Sequence, residues 1–319
     1  MKMQHPGLLV MPAADYHRSD ALGHSALLKL LRSPEHYQSY ITTPHEGTAA
    51  MAFGTALHAA VLEPDAFAAE YAVFDESLLE GTLQSLDDYK AAAEALGIKT
   101  GKMKKDEIKS AVKAADIESR FKFRDDVQAE LNKGKIVLSA EHMAAITTIQ
   151  SKIAKHPGAS RRLASGIAEL SGFWVDPETG VSCKFRPDWL VMNDQGEIEA
   201  ILDVKSTKDA SIAGFSKSIA NYGYDVQAAY YTDGLKTIIG KEVPFLFLAI
   251  ENDAPYSVAM YRADQQMLDI GRKKYRAGLA IMQWCQREQQ WPGYQTTDEE
   301  ESISLPFWSV KGAAAFDME

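Results

Sequence analysis

The stretch from Ala168 to Thr207, AELSGFWVDPETGVSCKFRPDWLVMNDQGEIEAILDVKST, constrains the fold more than any other part of the chain. Apolar and polar residues alternate along it, as they do in strands that bury one face. The turn-forming runs PETG (177–180) and NDQG (193–196) interrupt this alternation at hairpin spacing. We therefore predict three antiparallel strands in this stretch.

Segments with helical periodicity lie on both sides of these strands. Before them, apolar residues recur every three or four positions in segments 24–40, 53–64 and 139–157. After them come a helical segment at 221–239, the strand-like runs PFLFLAIE and YSVAMYRA, and a long helical segment at 265–289. Helices before a sheet, followed by a helix and further strands, predict an α/β fold whose mixed central sheet is flanked by helices.

The length and composition of the chain fit one large domain spanning 1–319. Its 319 residues are 46% hydrophobic, which is enough to fill a core. Between 77 and 134 the composition shifts to Lys, Glu, Asp and Ala with helical periodicity, which predicts a helical insertion or subdomain. From Lys99 to Arg124 nine basic residues stand against four acidic ones, so the insertion is a candidate phosphate-facing region. A solvated helix face is the alternative.

Net charge and cysteine content narrow the class of protein. A formal net charge of -10 argues against a protein that coats nucleic acid through bulk positive potential. No run approaches the roughly 20 apolar residues that a membrane helix needs, and the first apolar run is too short for a signal peptide. Cys183 and Cys285 cannot form a disulfide framework or a four-thiolate metal site. We expect a cytoplasmic protein with no membrane partner and two buried or half-buried thiols.

Two carboxylates in the strand-rich stretch point to a metal site. Asp188 and Asp203 are 15 positions apart, far enough for a hairpin to bring them side by side. Paired carboxylates repel unless a cation lies between them, and oxygen ligands suit Mg²⁺, for which Mn²⁺ substitutes. In a strand, Asp203 and Lys205 share one face while Val204 points away, which leaves the Val204 carbonyl as a third oxygen ligand.

Lys205 adds a cation to this arrangement. Its ammonium is placed to hold a phosphate oxygen or an attacking water, and a metal ion with a lysine suffices to hydrolyse a phosphodiester. The competing interpretation is a structural ion pair, which is common for an isolated Asp-x-Lys. We also expect Asp203→Ala and Lys205→Ala to keep or improve stability, because removing one of two clustered like charges relieves repulsion in the metal-free protein.

These residues resemble the PD-(D/E)xK nuclease superfamily, whose pattern is met by Pro187, Asp188, Asp203 and Lys205. The similarity extends to the RecE-type exonucleases (exonuclease VIII-like) over most of the chain outside the insertion. It is carried by five ordered segments, which are SALLKLLRSPEHY, GTALHAAVLEP, FW followed by CKFRPDWL, DVKST, and YGYDVQAAYY. The resemblance implies a restriction-endonuclease-like α/β core.

The resemblance also assigns roles to residues. It implies that His58, Asp188 and Asp203 are metal ligands and that Lys205 is catalytic. Gln227 and Tyr231 match the Gln-x-x-x-Tyr element shared by related exonucleases and lie one helical turn apart on one face. The resemblance implies that they belong to the catalytic set and orient the lysine or bind the DNA backbone; a packed aromatic is the alternative for Tyr231.

Further positions bear on this assignment. Gly54 lies one turn before His58, and its missing side chain is expected to let that helix approach the sheet closely. Glu169 is a possible further member of the site. In the superfamily a polar or histidine residue often stands before the Gln element. This chain has Asp225 there, so the resemblance does not decide whether this position contacts DNA.

The activity implied by the resemblance is that of a Mg²⁺-dependent exodeoxyribonuclease. It would degrade linear double-stranded DNA from the 5′ end and leave a 3′ single strand for recombination, with no cofactor beyond the ion. The resemblance further implies a homo-oligomeric ring and a RecT-type single-strand annealing protein as partner. Another PD-(D/E)xK endonuclease or flap nuclease, or a non-catalytic DNA-binding recombination scaffold, is the alternative.

Overall fold

The computed structural model describes residues 7–43, 49–73, 76–131, 134–295 and 299–306. Within these ranges the chain forms thirteen α-helices, which are α1 (Ala13–Arg18), α2 (His24–Arg32), α3 (Pro34–Thr42), α4 (Ala49–Leu62), α5 (Pro64–Glu70), α6 (Leu86–Ala95), α7 (Lys105–Ala115), α8 (Arg124–Leu131), α9 (Ala140–Lys155), α10 (Pro157–Leu163), α11 (Ile212–Tyr222), α12 (Tyr224–Ile239) and α13 (Gln265–Glu288). The same residues form ten strands, which are β1 (Gly7–Leu9), β2 (Tyr71–Val73), β3 (Ile136–Leu138), β4 (Gly166–Ala168), β5 (Ser171–Val175), β6 (Ser182–Phe185), β7 (Trp189–Met192), β8 (Ile198–Thr207), β9 (Phe245–Glu251) and β10 (Val258–Arg262).

Five of the strands form the central sheet, in the order β10-β9-β8-β7-β4. Strands β8 and β9 run parallel, whereas the other three neighbouring pairs are antiparallel. This confirms the predicted α/β fold with a mixed sheet. The parallel pair is possible because α11 and α12 carry the chain back between β8 and β9.

The strand-rich stretch differs from the prediction of three antiparallel strands. It contains four strands, β5 to β8, and they belong to two sheets. Strand β5 pairs with β1 on one side and with β6 on the other, while β7 and β8 lie in the central sheet. The division falls at Pro187, between the end of β6 and the start of β7. Proline has no N–H to donate to a ladder, so the chain leaves one sheet there and enters the other.

Both faces of the central sheet are buried, and β8 shows this residue by residue. Ile201 packs into a core formed with α2, α12 and α13. Leu202 and Val204 pack into a second core formed with α4 and α9 on the opposite face. Since successive strand residues alternate between faces, Asp203 and Lys205 belong to the face that α12 covers.

The predicted 77–134 insertion contains α6, α7 and α8 together with a 3₁₀ turn, Glu76–Leu79. Helices α6 and α7 lie on either side of the Gly- and Lys-rich run 97–104, and α8 follows them. Apolar side chains of α6 and α7, together with Phe123 just before α8, form a small core of their own, centred on Tyr89, Ile108, Val112 and Phe123. On either side of the insertion, β2 and β3 pair in parallel. The division of the chain into one domain with a helical insertion stays a prediction.

The buried cysteines agree with the sequence analysis. Cys183 and Cys285 are both free thiols with no exposed surface. Among the described residues, no helix combines the length and the apolar character that are needed to cross a bilayer.

Candidate active site

Three acidic residues lie at one level of the central sheet. The pairing of β4 with β7, and of β7 with β8, brings Glu169, Asp188 and Asp203 to corresponding positions, one residue beyond the paired set Ala168, Trp189 and Leu202. The backbone N–H of Glu169 donates a hydrogen bond of 3.1 Å to the carbonyl of Asp188. Three neighbouring strands therefore bring one carboxylate each to the same level of the sheet.

His58 completes a group that fits a metal ion. It lies on α4, and its Nδ1 is 3.6 Å from Oδ2 of Asp188. One ligand atom each from His58, Glu169 and Asp188 can be chosen so that all lie within 4.8 Å of one another, and all three residues are partly exposed. Two carboxylates and a neutral imidazole are suitable ligands for Mn²⁺ or Mg²⁺. The donor set therefore fits a divalent cation.

The environment of Asp188 favours a cation as neighbour. Its Oδ2 accepts a hydrogen bond of 2.7 Å from the backbone N–H of Val204. Burial, and next the charge of Asp203, raise the pKa of Asp188 to about 7, although His58 and Lys205 oppose the rise. A bound cation stabilises the ionised carboxylate and reverses this shift.

Asp203 is held by two side chains of the same site. It is 1% exposed, it forms an ion pair with Lys205 through Oδ2, and its Oδ1 accepts a hydrogen bond of 2.7 Å from Nε2 of Gln227. Burial by itself would lower the pKa of Lys205, but the charges of Asp203 and Asp188 outweigh burial and raise it. Lys205 is therefore an ammonium, and the predicted ion pair coexists with the acidic cluster.

Arg186 is a part of this neighbourhood that the sequence analysis missed. Its Nε donates to Oε2 of Glu169 at 2.5 Å, and its Nη1 donates to the Met11 carbonyl and to Oγ of Ser171. The arginine therefore fixes the carboxylate of Glu169 from the side of β5. The sequence could have indicated this role, since Arg186 stands two positions before Asp188 in KFRPD.

Gln227 and Tyr231 on α12 occupy different environments. Gln227 is buried, and its Oε1 has no hydrogen-bond partner among the described residues. The amide can therefore accept a further hydrogen bond beside Asp203. The ring of Tyr231 is buried and packs against Phe185 and Phe245 in the core. Its role in the site stays a prediction, and its burial disfavours direct contact with DNA.

Two expectations about the surroundings of the site change. A Cβ added at Gly54 would meet nothing within 4 Å, so this glycine does not let α4 approach the sheet, contrary to the expectation. Asp225 is buried and forms an ion pair of 2.6 Å with Lys274 on α13, so it ties two helices together instead of facing a ligand. For Val204, the described contact is that of its N–H with Asp188, and the carbonyl as metal ligand stays a prediction.

The mixed sheet, the row of acids and the adjoining Asp-x-Lys together define a PD-(D/E)xK-type α/β fold. The chain belongs to the family described as PDDEXK-like domain of unknown function (DUF3799), whose sequence model matches residues 23–302. A search of curated proteins finds no match.

A solved structure shares the fold at low sequence identity, and two others align with lower scores. A protein of Eubacterium rectale provisionally named an exonuclease aligns with a TM-score of 0.51 and 11% identity, over 95% of this chain and 98% of that one. A phage related exonuclease from Haemophilus somnus 129PT aligns with a TM-score of 0.26 and 14% identity, over 67% of this chain and 95% of that one. The alkaline exonuclease LHK-Exo of Laribacter hongkongensis gives a TM-score of 0.25 and 12% identity, over 73% and 96%.

Proposed function

We propose that the protein is a divalent-metal-dependent deoxyribonuclease that hydrolyses linear double-stranded DNA from the 5′ end and leaves a 3′ single strand. One observation carries the proposal. The metal-compatible group of His58, Glu169 and Asp188 lies beside the Asp203–Lys205 ion pair, and all three members of the group are partly exposed. Carboxylates, an imidazole and an ammonium are the groups that phosphodiester hydrolysis needs.

Each side chain has a role that follows from its contacts. His58, Glu169 and Asp188 would hold the ion. Asp203, which the resemblance also implies as a ligand, stands next to them in the row of acids, and its part in holding the ion stays a prediction. A bound Mg²⁺ or Mn²⁺ supplies a water of lowered pKa and stabilises charge on the phosphoryl oxygens.

Lys205 and Gln227 act around Asp203. The ammonium of Lys205 binds a phosphate oxygen or orients the attacking water. Gln227 keeps the carboxylate of Asp203 in place through its hydrogen bond. Buried hydrogen bonds of this kind fix the geometry of reacting groups before the substrate binds.

The exonuclease part of the proposal has separate support. The five ordered segments of similarity to RecE-type exonucleases surround the same residues, and the structural relative with a TM-score of 0.51 is itself provisionally named an exonuclease. A homo-oligomeric ring fits an acidic chain, because basic residues need only line the channel that holds the duplex. A RecT-type annealing protein would receive the single strand.

End-labelled DNA tests the proposal. Linear duplexes labelled separately at each 5′ and each 3′ end are incubated with Mg²⁺, with Mn²⁺ and with EDTA, alongside a covalently closed circle of the same sequence. We expect the 5′ label to be released first, the circle to survive, and EDTA to stop the reaction. Cleavage of the circle would indicate an endonuclease, and binding without cleavage would indicate a scaffold.

Matched variants locate the activity within the site. Asp188→Asn and Lys205→Ala are expected to lower the cleavage rate by about a hundredfold or more, as is usual when a charge-stabilising group is removed. Asp194→Asn and Lys155→Ala change the same residue types at exposed positions elsewhere and serve as controls. If the site variants fold and cleave like the parent, the assignment is wrong.

A further inference from the structure

The junction between α11 and α12 has a fixed shape. Helix α11 ends at Tyr222, α12 begins at Tyr224, and Gly223 between them has φ 69° and ψ 32°, in the left-handed region. A Cβ at Gly223 would lie 2.7 Å from Cδ2 of Leu28, so only glycine fits there without a shift of the neighbour. Nε2 of His24 also lies 3.1 Å from the Gly223 carbonyl. The two tyrosines therefore leave the junction in defined directions.

Tyr224 points to the proposed catalytic lysine. The Lys205 ammonium lies 4.7 Å from the centre of the Tyr224 ring. The same ring contacts Phe215 and Phe247, each with centroids 6.3 Å away, so it is wedged between the core and the ammonium. A cation over an aromatic face is attracted by the ring quadrupole. Tyr224 is therefore a positioning residue for Lys205.

Tyr222 continues this series of contacts towards solvent. Its ring centroid is 5.7 Å from that of Tyr224, with an angle of 31° between the ring planes. In contrast to Tyr224, the residue is 62% exposed. An aromatic ring that is held from behind and open in front presents a face to whatever binds at the site.

We propose that Tyr222 forms a nucleobase-binding subsite, on which the base next to the phosphate held by Lys205 stacks. The inference rests on the proposed nuclease function and extends it to a substrate contact. Bases stack on aromatic side chains, and every base has such a face, so the contact tolerates any sequence, as a DNA-degrading enzyme requires. Tyrosine loses little conformational entropy in such a contact, because it has only two side-chain torsions.

A thermodynamic cycle that combines a protein variant with a modified substrate tests the subsite. Cleavage by wild type and by Tyr222→Ala is measured under single-turnover conditions on an intact duplex and on duplexes with a stable abasic residue at the first or the second nucleotide of the cleaved strand. For wild type we expect one of the two abasic positions to lower the apparent second-order rate constant by about five- to 150-fold, which is the range for a lost stacking contact. Tyr222→Ala should show a similar loss on the intact duplex and little further loss on the abasic one.

Two further variants make the result unambiguous. Tyr222→Phe keeps the ring and should behave like wild type, including its sensitivity to the abasic position. Tyr294→Ala removes another exposed tyrosine, one that contacts Arg32 instead of the site, and should leave the rates unchanged. If the losses from Tyr222→Ala and from the abasic residue multiply, or if Tyr222→Ala has no effect, the subsite does not exist. A wild-type protein that cuts no intact duplex would instead overturn the nuclease function itself, and the subsite with it.

Discussion

The backbone N–H of Val204 donates a hydrogen bond of 2.7 Å to Oδ2 of Asp188, which joins a carboxylate before β7 to the main chain of β8. Because the donor is a backbone group, no substitution at position 204 other than proline removes it. Strand β8 thus holds Asp188 in place while it also carries Asp203 and Lys205. The position of the acid and the position of the ammonium are set by one element.

Asp188 is expected to destabilise the metal-free fold at neutral pH. Its pKa in the folded protein is about 7, whereas an unfolded chain has a value near its usual 3.9. Between these values the folded state keeps a proton that the unfolded state releases, so stability falls as pH rises through this window. Asp188→Asn should therefore raise the free energy of unfolding by roughly 1–3 kcal/mol at pH 8 and change it little at pH 4. Urea unfolding in EDTA at both pH values measures this, and an equal change at both would contradict it.

Asp203 should behave in the opposite way. The sequence predicted that its loss keeps or improves stability, but the structure gives its buried carboxylate an ion pair with Lys205. Removing one partner of a buried pair leaves the other charge uncompensated, at a cost of about 3–5 kcal/mol. We expect Asp203→Ala to be destabilised by this order, and Asp203→Leu combined with Lys205→Met to recover much of the loss. Chemical denaturation of the three proteins decides between the two expectations.

Glu169 is expected to be a metal ligand of the same standing as His58. Its carboxylate belongs to the compact donor group around Asp188. Glu169→Gln and His58→Ala should each weaken Mn²⁺ binding by at least about tenfold, as lost ligand contacts in metal sites do. Titration calorimetry or the electron paramagnetic resonance signal of Mn²⁺ measures the affinity. Glu118→Gln, which changes a carboxylate that is 81% exposed, is the control. Unchanged affinity in Glu169→Gln would remove this residue from the site.

Tyr224 should affect turnover through the orientation of Lys205. Tyr224→Phe keeps the aromatic face 4.7 Å from the ammonium, whereas Tyr224→Leu removes it. A cation–π contact is worth about 0.5–2 kcal/mol, so Tyr224→Leu should lower kcat about two- to thirtyfold with KM nearly unchanged. Steady-state kinetics separates the two constants. A loss in Tyr224→Phe as large as in Tyr224→Leu would mean that the hydroxyl, and not the ring, is what matters.

The sequence was most informative where a pattern is local. Alternation and helical spacing predicted β9, β10 and α13 closely, and the spacing of Asp188 and Asp203 placed them on neighbouring strands. Glu169 received little support because it follows a strand of only three residues, whose partner is set by long-range pairing. The contact of Tyr224 with the lysine likewise depends on how α12 packs on the sheet, which no local spacing encodes.

The parallel pairing of β2 with β3 has a consequence for how this protein can change over generations. The chain leaves the central body after Val73, at the end of β2, and returns at Ile136, at the start of β3. The strands are parallel and Ile136 pairs with Tyr71, so the two points are separated by one interstrand spacing and two residues along the strand, roughly 8 Å. A segment inserted between Val73 and Ile136 needs only to span this short distance, and the entropic cost of closing a longer loop grows slowly with its length. The insertion can therefore lengthen, shorten or be exchanged during evolution while the strands that carry the acids keep their register.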